Sequence, residues 1–214
     1  MKIFSIEAGP VQTMAYIVYD ELSADAIIID VPLESATTIS SKIKELKLNA
    51  KAIILTHSHW DHSAEAPSLA ENIHSPIFIH KADEYRLLEP NKYTVWKLPI
   101  MLEAFKASQY LEDGENLDFG TLHCEIIHTP GHTEGGICIY FPSENIVFTG
   151  DTLFNMSVGR VDLPGGNWDL LNHSIRNKLL VLPAQTDVYC GHGEPTTIGF
   201  ERNNNPFLNK NTIY

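Results

Sequence analysis

The chain predicts an α/β domain (α+β in some schemes), on three observations. "DAIIID" and "KAIILTH" are short, continuous apolar runs, as expected of strands covered on both faces. Each is followed by a segment with helical spacing. At 214 residues, 43% of them hydrophobic, the chain is long enough to bury a double-layered core, and it reads as a single domain over 1–214.

"KIFSIEA" and "MAYIVYD" read as a hairpin pair joined by a turn containing Gly9 and Pro10. After "DAIIID", the segment "ESATTISSKIKELKL" places Ile39, Ile43 and Leu46 three or four apart, the stripe of an amphipathic helix. "KAIILTH" is the next strand, and "SAEAPSLAENI" the helix after it. Residues 81–107 read as helical or irregular, and Pro90 and Pro99 bracket a loop carrying Tyr93 and Trp96 that either forms a lid or packs down. "LHCEIIHT", "GICIYFP" and "ENIVFTGD" are strands. "NWDLLNHSIRNKLLVLP" is a helix with Asn167 as its cap and Pro183 beyond its end. "TDVYCGHG" is a last strand, "TTIGFERNNN" a closing turn or helix, and the tail after it is poor in core-forming residues.

A net charge of −12 argues against a nucleic-acid binder, because phosphate backbones are bound through excess Lys and Arg. No apolar run approaches the ~20 residues of a membrane span, and the start of the chain has no signal-peptide pattern. Three cysteines, Cys124, Cys138 and Cys190, fit a reducing compartment, so the cytoplasm is expected. The sequence leaves the oligomeric state open.

The chemistry concentrates in "THSHWDH", where His57, His59, Asp61 and His62 follow directly on a strand. Three further strands end in the same way beside glycine: "EIIHTPGHT" with His132, "IVFTGD" with Asp151 and "VYCGHG" with His192. Five imidazoles and two carboxylates suit zinc or another first-row divalent ion, and seven ligands exceed one tetrahedral site. They suit two ions ~3.5–4 Å apart. His57 and His59, two apart in extended backbone, point the same way and would hold one ion with His132. Asp61 and His62 would hold the other with His192, and Asp151 has two oxygens with which to bridge. His74, His80, His123 and His173 read as hydrogen-bonded core residues, His128 as a residue acting from behind the ligands, and Cys190 as a small buried side chain. Arg160 either clamps a substrate carboxylate or pairs with Asp162. Phe154 and Met156 read as core packing beside the site.

"HSHWDH", "TPGHT", "TGDTLF" and "GHG", in that order, resemble the ligand motifs of the metallo-β-lactamase superfamily. "GDTLFNMSVGRVDLPGG" and "GHGEPTTIGFERNNNPFL" are similar to its short bacterial hydrolases related to glyoxalase II, the hydroxyacylglutathione hydrolases. The resemblance implies a four-layer αββα sandwich of two mixed sheets with helices outside and metals at one edge. It implies two divalent ions, zinc first, iron or manganese as alternatives, bridged by Asp151. Histidine at position 59 separates the chain from the diiron flavoproteins of the superfamily. The extra C-terminal helical domain of full-length glyoxalase II has no counterpart in this sequence.

The expected function is a thioesterase acting on a small anionic thioester such as S-lactoylglutathione. Metal coordination brings the pKa of bound water to ~7, so a bridging hydroxide is available to attack the carbonyl, with Asp61 holding it. A thiol of pKa ~8.5 can then leave without a strong general acid. The alternatives are a mononuclear-iron persulfide dioxygenase using His57, His132 and Asp151, and a lactonase or phosphodiesterase of the same superfamily.

Overall fold

The structure, a computed structural model, describes residues 1–208. Strands β1 (Lys2–Ala8) and β2 (Thr13–Tyr19) form the expected antiparallel hairpin, its turn closed with Gly9 at φ 74°. β3 (Asp25–Ile29) joins antiparallel to β2. Helix α1 (Ala36–Glu45) then crosses over to β4 (Asn49–Ile54), which lies parallel to β3. Ile39 and Ile43 are buried beneath α1 as the spacing predicts, but Leu46 caps the helix and is half out in solvent. The helix expected at 63–73 begins three residues later, as α3 (Ala66–Ile73), after a separate short helix α2 (Trp60–Ser63) that carries Asp61 and His62. Pro67 at the start of α3 accounts for the break between the two, since its ring cannot continue a preceding turn. β5 (Ile77–His80), short helices α4 (Glu84–Leu88) and α5 (Pro90–Tyr93), and an extended run to β6 (Gln109–Leu111) complete a six-stranded mixed sheet.

β7 (Asn116–Phe119), β8 (Leu122–His128), β9 (Ile137–Phe141) and β10 (Ile146–Gly150) form an antiparallel meander. A two-stranded ribbon, β11 (Leu153–Phe154) and β12 (Ser157–Val158), follows. Helix α6 (Trp168–Ser174) is capped by the Asn167 side chain, which accepts from Leu170 N–H at 3.0 Å. It passes into a wider π-helical turn at Ile175–Leu179 before Pro183. β13 (Asp187–Cys190) inserts parallel to β10, β14 (Thr196–Thr197) flanks it, and α7 (Ile198–Asn204) closes the described chain. This second sheet is also six-stranded and mixed.

Alternation along the strands makes the layers. Ile27 and Ile29 of β3 face the second sheet, together with Ile126, Ile139 and Phe148. Ile28, between them, faces α1 and α3 with Ile39 and Leu69. On the other side Ile127, Tyr140 and Val147 pack against Leu171, Ile175 and Leu179. Three apolar layers therefore separate helix, sheet, sheet and helix, which is the αββα sandwich. Each fully buried Ile or Leu contributes about 1.5–3 kcal/mol of apolar burial, so strands covered on both sides read as unbroken apolar runs.

The sheets are tied at one edge, where β3, β4, β8, β10 and β13 all end. Ile137 N donates to Thr56 O at 2.8 Å across the gap, and the Tyr16 hydroxyl donates to Cys190 O at 2.5 Å. Carboxyl ends of parallel strands are where α/β proteins place ligands. No helix among the described residues is long and apolar enough to cross a membrane.

Candidate metal centre

All seven predicted ligands converge at that edge. His57, His59 and His132 bring ring nitrogens together: His57 Nε2 lies 3.1 Å from His59 Nδ1, and His59 Nδ1 lies 2.9 Å from His132 Nε2. Asp151 Oδ2 is 3.4 Å from His132 Nε2, while its Oδ1 is 3.2 Å from His62 Nε2 and 3.6 Å from His192 Nε2. Asp61 Oδ2 lies 3.4 Å from His192 Nε2 and 3.6 Å from His62 Nε2. Three overlapping groups result, His57–His59–His132, His57–His62–Asp151 and Asp61–His62–His192, each with its donor atoms within 4.8 Å of one another.

The far side of four rings is already engaged. His57 Nδ1 meets Thr56 Oγ1 at 3.1 Å, and that hydroxyl donates to Asp30 Oδ2, so it is the imidazole that donates here. His62 Nδ1 donates to Asp30 Oδ2 at 2.7 Å, His132 Nδ1 to Arg160 O at 2.7 Å, and His192 Nδ1 to Val11 O at 3.1 Å. In the neutral ring each such bond fixes the tautomer and leaves the other nitrogen's lone pair facing the cluster, where a metal ion would take the place of the proton that the carboxylates favour on His62 and His192. His62 Nε2 and Asp151 Oδ1 are buried and have no hydrogen-bond partner. Buried polar atoms are normally satisfied, so this pair fits a cation.

Charge divides the cluster. Burial, then the neighbouring imidazoles, pushes His57 far below its ordinary value and His59 to about 3, which keeps both neutral. For His62 burial acts downward but is outweighed by Asp151, Asp30 and Asp61, which raise it well above the usual range. His192 is pushed up to about 10, because the facing carboxylates of Asp151 and Asp61 outweigh its burial. Burial would raise both carboxylates, yet the facing histidines, His62 first, hold Asp61 below its ordinary value and Asp151 well below.

Backbone fit makes the convergence possible. A Cβ on Gly191 would lie 2.3 Å from Asp151 Oδ1 and 2.8 Å from His62 Cε1. Gly150, at φ 48°, leaves no room for a Cβ beside Thr56. Only glycine fits the left-handed turn at Gly150 without strain, and at Gly191 the close contacts alone exclude a side chain.

Arg160 binds Asp162 through two bonds of 2.7 and 2.8 Å at the exposed rim, and its guanidinium carbon lies 5.5 Å from the Trp96 ring. The ion-pair reading thus describes its side chain, and the backbone carbonyl supports His132. Cys190 is buried and its thiol raised to about 12 by burial, in keeping with a packing role. Phe154 lines the cleft as well as packing against the outer core, whereas Met156 is exposed. His74, His123 and His173 are exposed rather than core, and His80 is half-buried. The αL position ending α3, polar strand faces and a solvent-facing helix side place them outside. His128 bonds Glu134 O at 2.9 Å and stacks on His80 at 3.9 Å, supporting the loop after His132 rather than a ligand.

Sequence reasoning did not identify Asp30, Thr56, Thr13 or Asp83. Asp30 is buried at φ 58° and accepts from Thr56 N, Thr56 Oγ1 and His62 Nδ1. Thr13 donates to Asp61 Oδ2 at 3.2 Å. Asp83 accepts from Ser58 N, Ser58 Oγ and Gly135 N, fixing the backbone between His57 and His59 to the loop after His132. Only Asp30 carried a signal, since "DAIIID" is also an apolar strand ending in a carboxylate.

A fold of this kind with a histidine–aspartate cluster at the sheet edge defines a class of metal-dependent hydrolases. The profile of the metallo-β-lactamase superfamily matches residues 8–192, and the chain belongs to that superfamily. Members use divalent metal ions. Among its relatives, the hydroxyacylglutathione hydrolase GloC of Haemophilus influenzae is 36% identical over 98% of this chain and 99% of its own. The probable metallo-hydrolase YqgX of Bacillus subtilis is 35% identical over 98% of each. Among solved structures, the B3 metallo-β-lactamase BLEG-1 superposes with a TM-score of 0.90 at 37% identity, covering 97% of this chain and 99% of that one. TTHA1623 in a di-iron-bound form gives 0.78 at 34%, covering 96% and 100%. ETHE1 of Myxococcus xanthus gives 0.79 at 27%, covering 96% and 84%.

Proposed function

We propose that the protein is a dinuclear metal-dependent thioesterase of the hydroxyacylglutathione hydrolase type. The observation that carries this is Asp151, whose two oxygens face two different donor groups, with Oδ1 and His62 Nε2 buried and unpartnered. His57, His59 and His132 would hold one ion, Asp61, His62 and His192 the other, and Asp151 would bridge. The di-iron form of a 34% identical neighbour supports two ions, and zinc, iron or manganese all suit these donors.

Bound divalent ions supply a water acidic enough to act at neutral pH and an electrophile for a carbonyl oxygen. The chain supplies placement. Asp61, fixed by Thr13 and facing the cleft, would hold the attacking hydroxide by a hydrogen bond. His192, anchored by Val11 O, and His132, anchored by Arg160 O, keep the opposite walls of the cluster rigid. Among the residues lining the cleft, every acid belongs to the ligand set, so no separate proton donor awaits the leaving group. A thiolate, from a thiol of pKa ~8.5, departs without one. The GloC relative, a hydroxyacylglutathione hydrolase, supports a glutathione-derived, anionic thioester such as S-lactoylglutathione.

Elemental analysis with a panel of thioester, lactone, phosphodiester and persulfide substrates tests the reading. About two ions per chain and thioester turnover are expected, and Asp61→Ala should abolish turnover while retaining the fold and at least one ion. One iron per chain with persulfide-dependent oxygen uptake would instead establish the mononuclear dioxygenase. Normal turnover by the Asp61 variant would remove that residue from the mechanism.

A further inference from the structure

The metal cluster forms only the floor of its cleft, a cavity of about 490 Å³. That is within the size range of small-molecule sites. Outside the predicted ligands, the lining side chains are apolar apart from Arg160 at the rim and the indole of Trp60, whose N–H is buried and unpartnered. Val11 comes from the β1–β2 turn, Phe154 and Val158 from the β11–β12 ribbon, and Leu163 from the loop before α6. Trp96 and Leu98 overhang from the segment after α5. Phe154 approaches His192 edge-on at a ring separation of 6.0 Å, so the apolar wall begins directly at the ligands.

Val158 belongs to the outer core and Phe154 packs partly against it, but Val11, Trp96, Leu98 and Leu163 are left open to the cleft. Val11 and Trp96 are each 45% exposed, and Leu98, Phe154 and Leu163 are only partly covered. Apolar groups left open around a catalytic floor, from four separate segments, mark a binding surface rather than a stray exposed residue. The one cation of the rim, Arg160, is bound bidentately to Asp162 and lies near the Trp96 ring. Among the described residues lining the cleft wall, no side-chain cation is therefore left uncommitted.

We infer that the acyl subsite extends beyond what a small hydroxyacyl group fills and favours an apolar chain or ring, seated between the Trp96–Leu98 segment and the Phe154–Val158 ribbon. The inference rests on the thioester reading. A polar thiol carrier has to reach solvent past the rim, where Arg160 sits, which leaves the enclosed apolar side to the acyl chain. Burying each added methylene there should raise kcat/KM about fourfold until the cavity is filled. The reaction itself is ordinary hydrolysis: water adds oxygen to the acyl carbon, the C–S bond breaks, and the thiol leaves with a proton.

The test uses the metal-loaded protein and two series of thioesters, one lengthening the acyl chain from acetyl to octanoyl on a fixed thiol, the other lengthening the thiol on a fixed acetyl group. Calorimetric binding of the matching alkyl carboxylates, acetate to octanoate, provides a readout independent of turnover. Expected are a steep rise along the acyl series, a shallow response along the thiol series, tighter carboxylate binding with length, and flattening of both trends in Trp96→Ala and Phe154→Ala. Turnover that is flat or falling along the acyl series, a rise confined to the thiol series, or a preference for S-lactoylglutathione over hexanoyl thioesters overturns the inference and leaves the thioesterase standing. Length-dependent carboxylate binding without hydrolysis of any thioester supports the apolar subsite and overturns the reaction. Carboxylate binding that ignores chain length overturns the subsite whichever substrates are cleaved.

Discussion

Gly191→Ala isolates the geometry of the centre, because it adds one methyl group and removes no donor. Gly191 has no left-handed backbone requirement, so the cost comes from contact alone. The new Cβ would sit 2.3 Å from Asp151 Oδ1, about 1 Å closer than ordinary contact, 2.8 Å from His62 Cε1 and 2.9 Å from the Gly150 carbonyl carbon. The last of these is backbone, and Gly191 N is bonded to Gly150 O at 2.8 Å, so the strand ends cannot part freely. Asp151 and His62 must give way. Overpacking of this kind costs about 1–3 kcal/mol, or some 2–4 °C in Tm per kcal/mol for a chain of this length. A displacement of ~1 Å at a reacting centre costs about a hundredfold in rate. Metal content, thioester turnover and Tm should be measured together. The variant should fold, lose one ion and retain about 1% of turnover. Gly114→Ala is the control: its φ is 75° with nothing within 4 Å, so it should cost stability through backbone strain and leave the metals in place. A Gly191 variant with two ions and wild-type turnover would refute the placement of Asp151 and His62.

Asp30→Asn puts an amide donor where Thr56 N, Thr56 Oγ1 and His62 Nδ1 all donate. Metal affinity should fall about 10–100-fold, and an unchanged dissociation constant in a chelator competition would contradict its orienting role. Stripping the metals should lower stability by about 2.7 kcal/mol relative to protein held at a hundred times the dissociation constant, seen as a Tm lower by roughly 5–10 °C; identical melting curves with and without chelator would contradict a bound state. His80 is held below its ordinary value by burial and then by the stacked His128. Its folded pKa lies below the unfolded 6.5, so the neutral ring's contribution is present above 6.5 and is lost as pH falls through the folded value. An NMR titration should place His80 below 6.5 and move it upward in His128→Phe, and a value at or above 6.5 would contradict the stacking account.

The histidine–aspartate cluster was more legible in the chain than the scaffold around it. Ligand chemistry is specific to residue type: few reasons exist for His57, His59, Asp61 and His62 to crowd a strand end. The residues that aim those ligands are chemically ordinary. Thr13 lies 48 positions from Asp61, and Asp83 25 from Ser58, so no spacing within one segment links either pair. Their roles exist only once the two sheets are brought edge to edge. The four exposed or half-buried histidines were misread for a related reason, since burial belongs to the face of an element and not to the residue. His74 and His173 occupy outer positions that local pattern does not mark. The strands β6 and β7 fell in stretches too short and too mixed to signal pairing, with Gln109–Leu111 held mainly by its neighbour β5.

The same distinction explains why the cleft's apolar wall was invisible beside its floor. Val11, Trp96, Phe154 and Leu163 lie in four segments; Phe154 alone reads first as packing, Trp96 as either lid or packing, and nothing in the chain marks Val11 or Leu163. Phe154 in fact does pack, against the outer core, with its remaining face turned to the cleft. Supports for the ligands also build this wall: Val11 supplies the carbonyl for His192, and Arg160 the carbonyl for His132 while its guanidinium borders Trp96. The loops that orient the histidines are therefore the loops that shape what reaches them. Changing substrate range by altering these loops would disturb the ligands, whereas the overhanging Trp96–Leu98 segment makes no bond to any of the seven. Variation in acyl preference should be easiest to obtain there, at positions that leave the centre's geometry untouched.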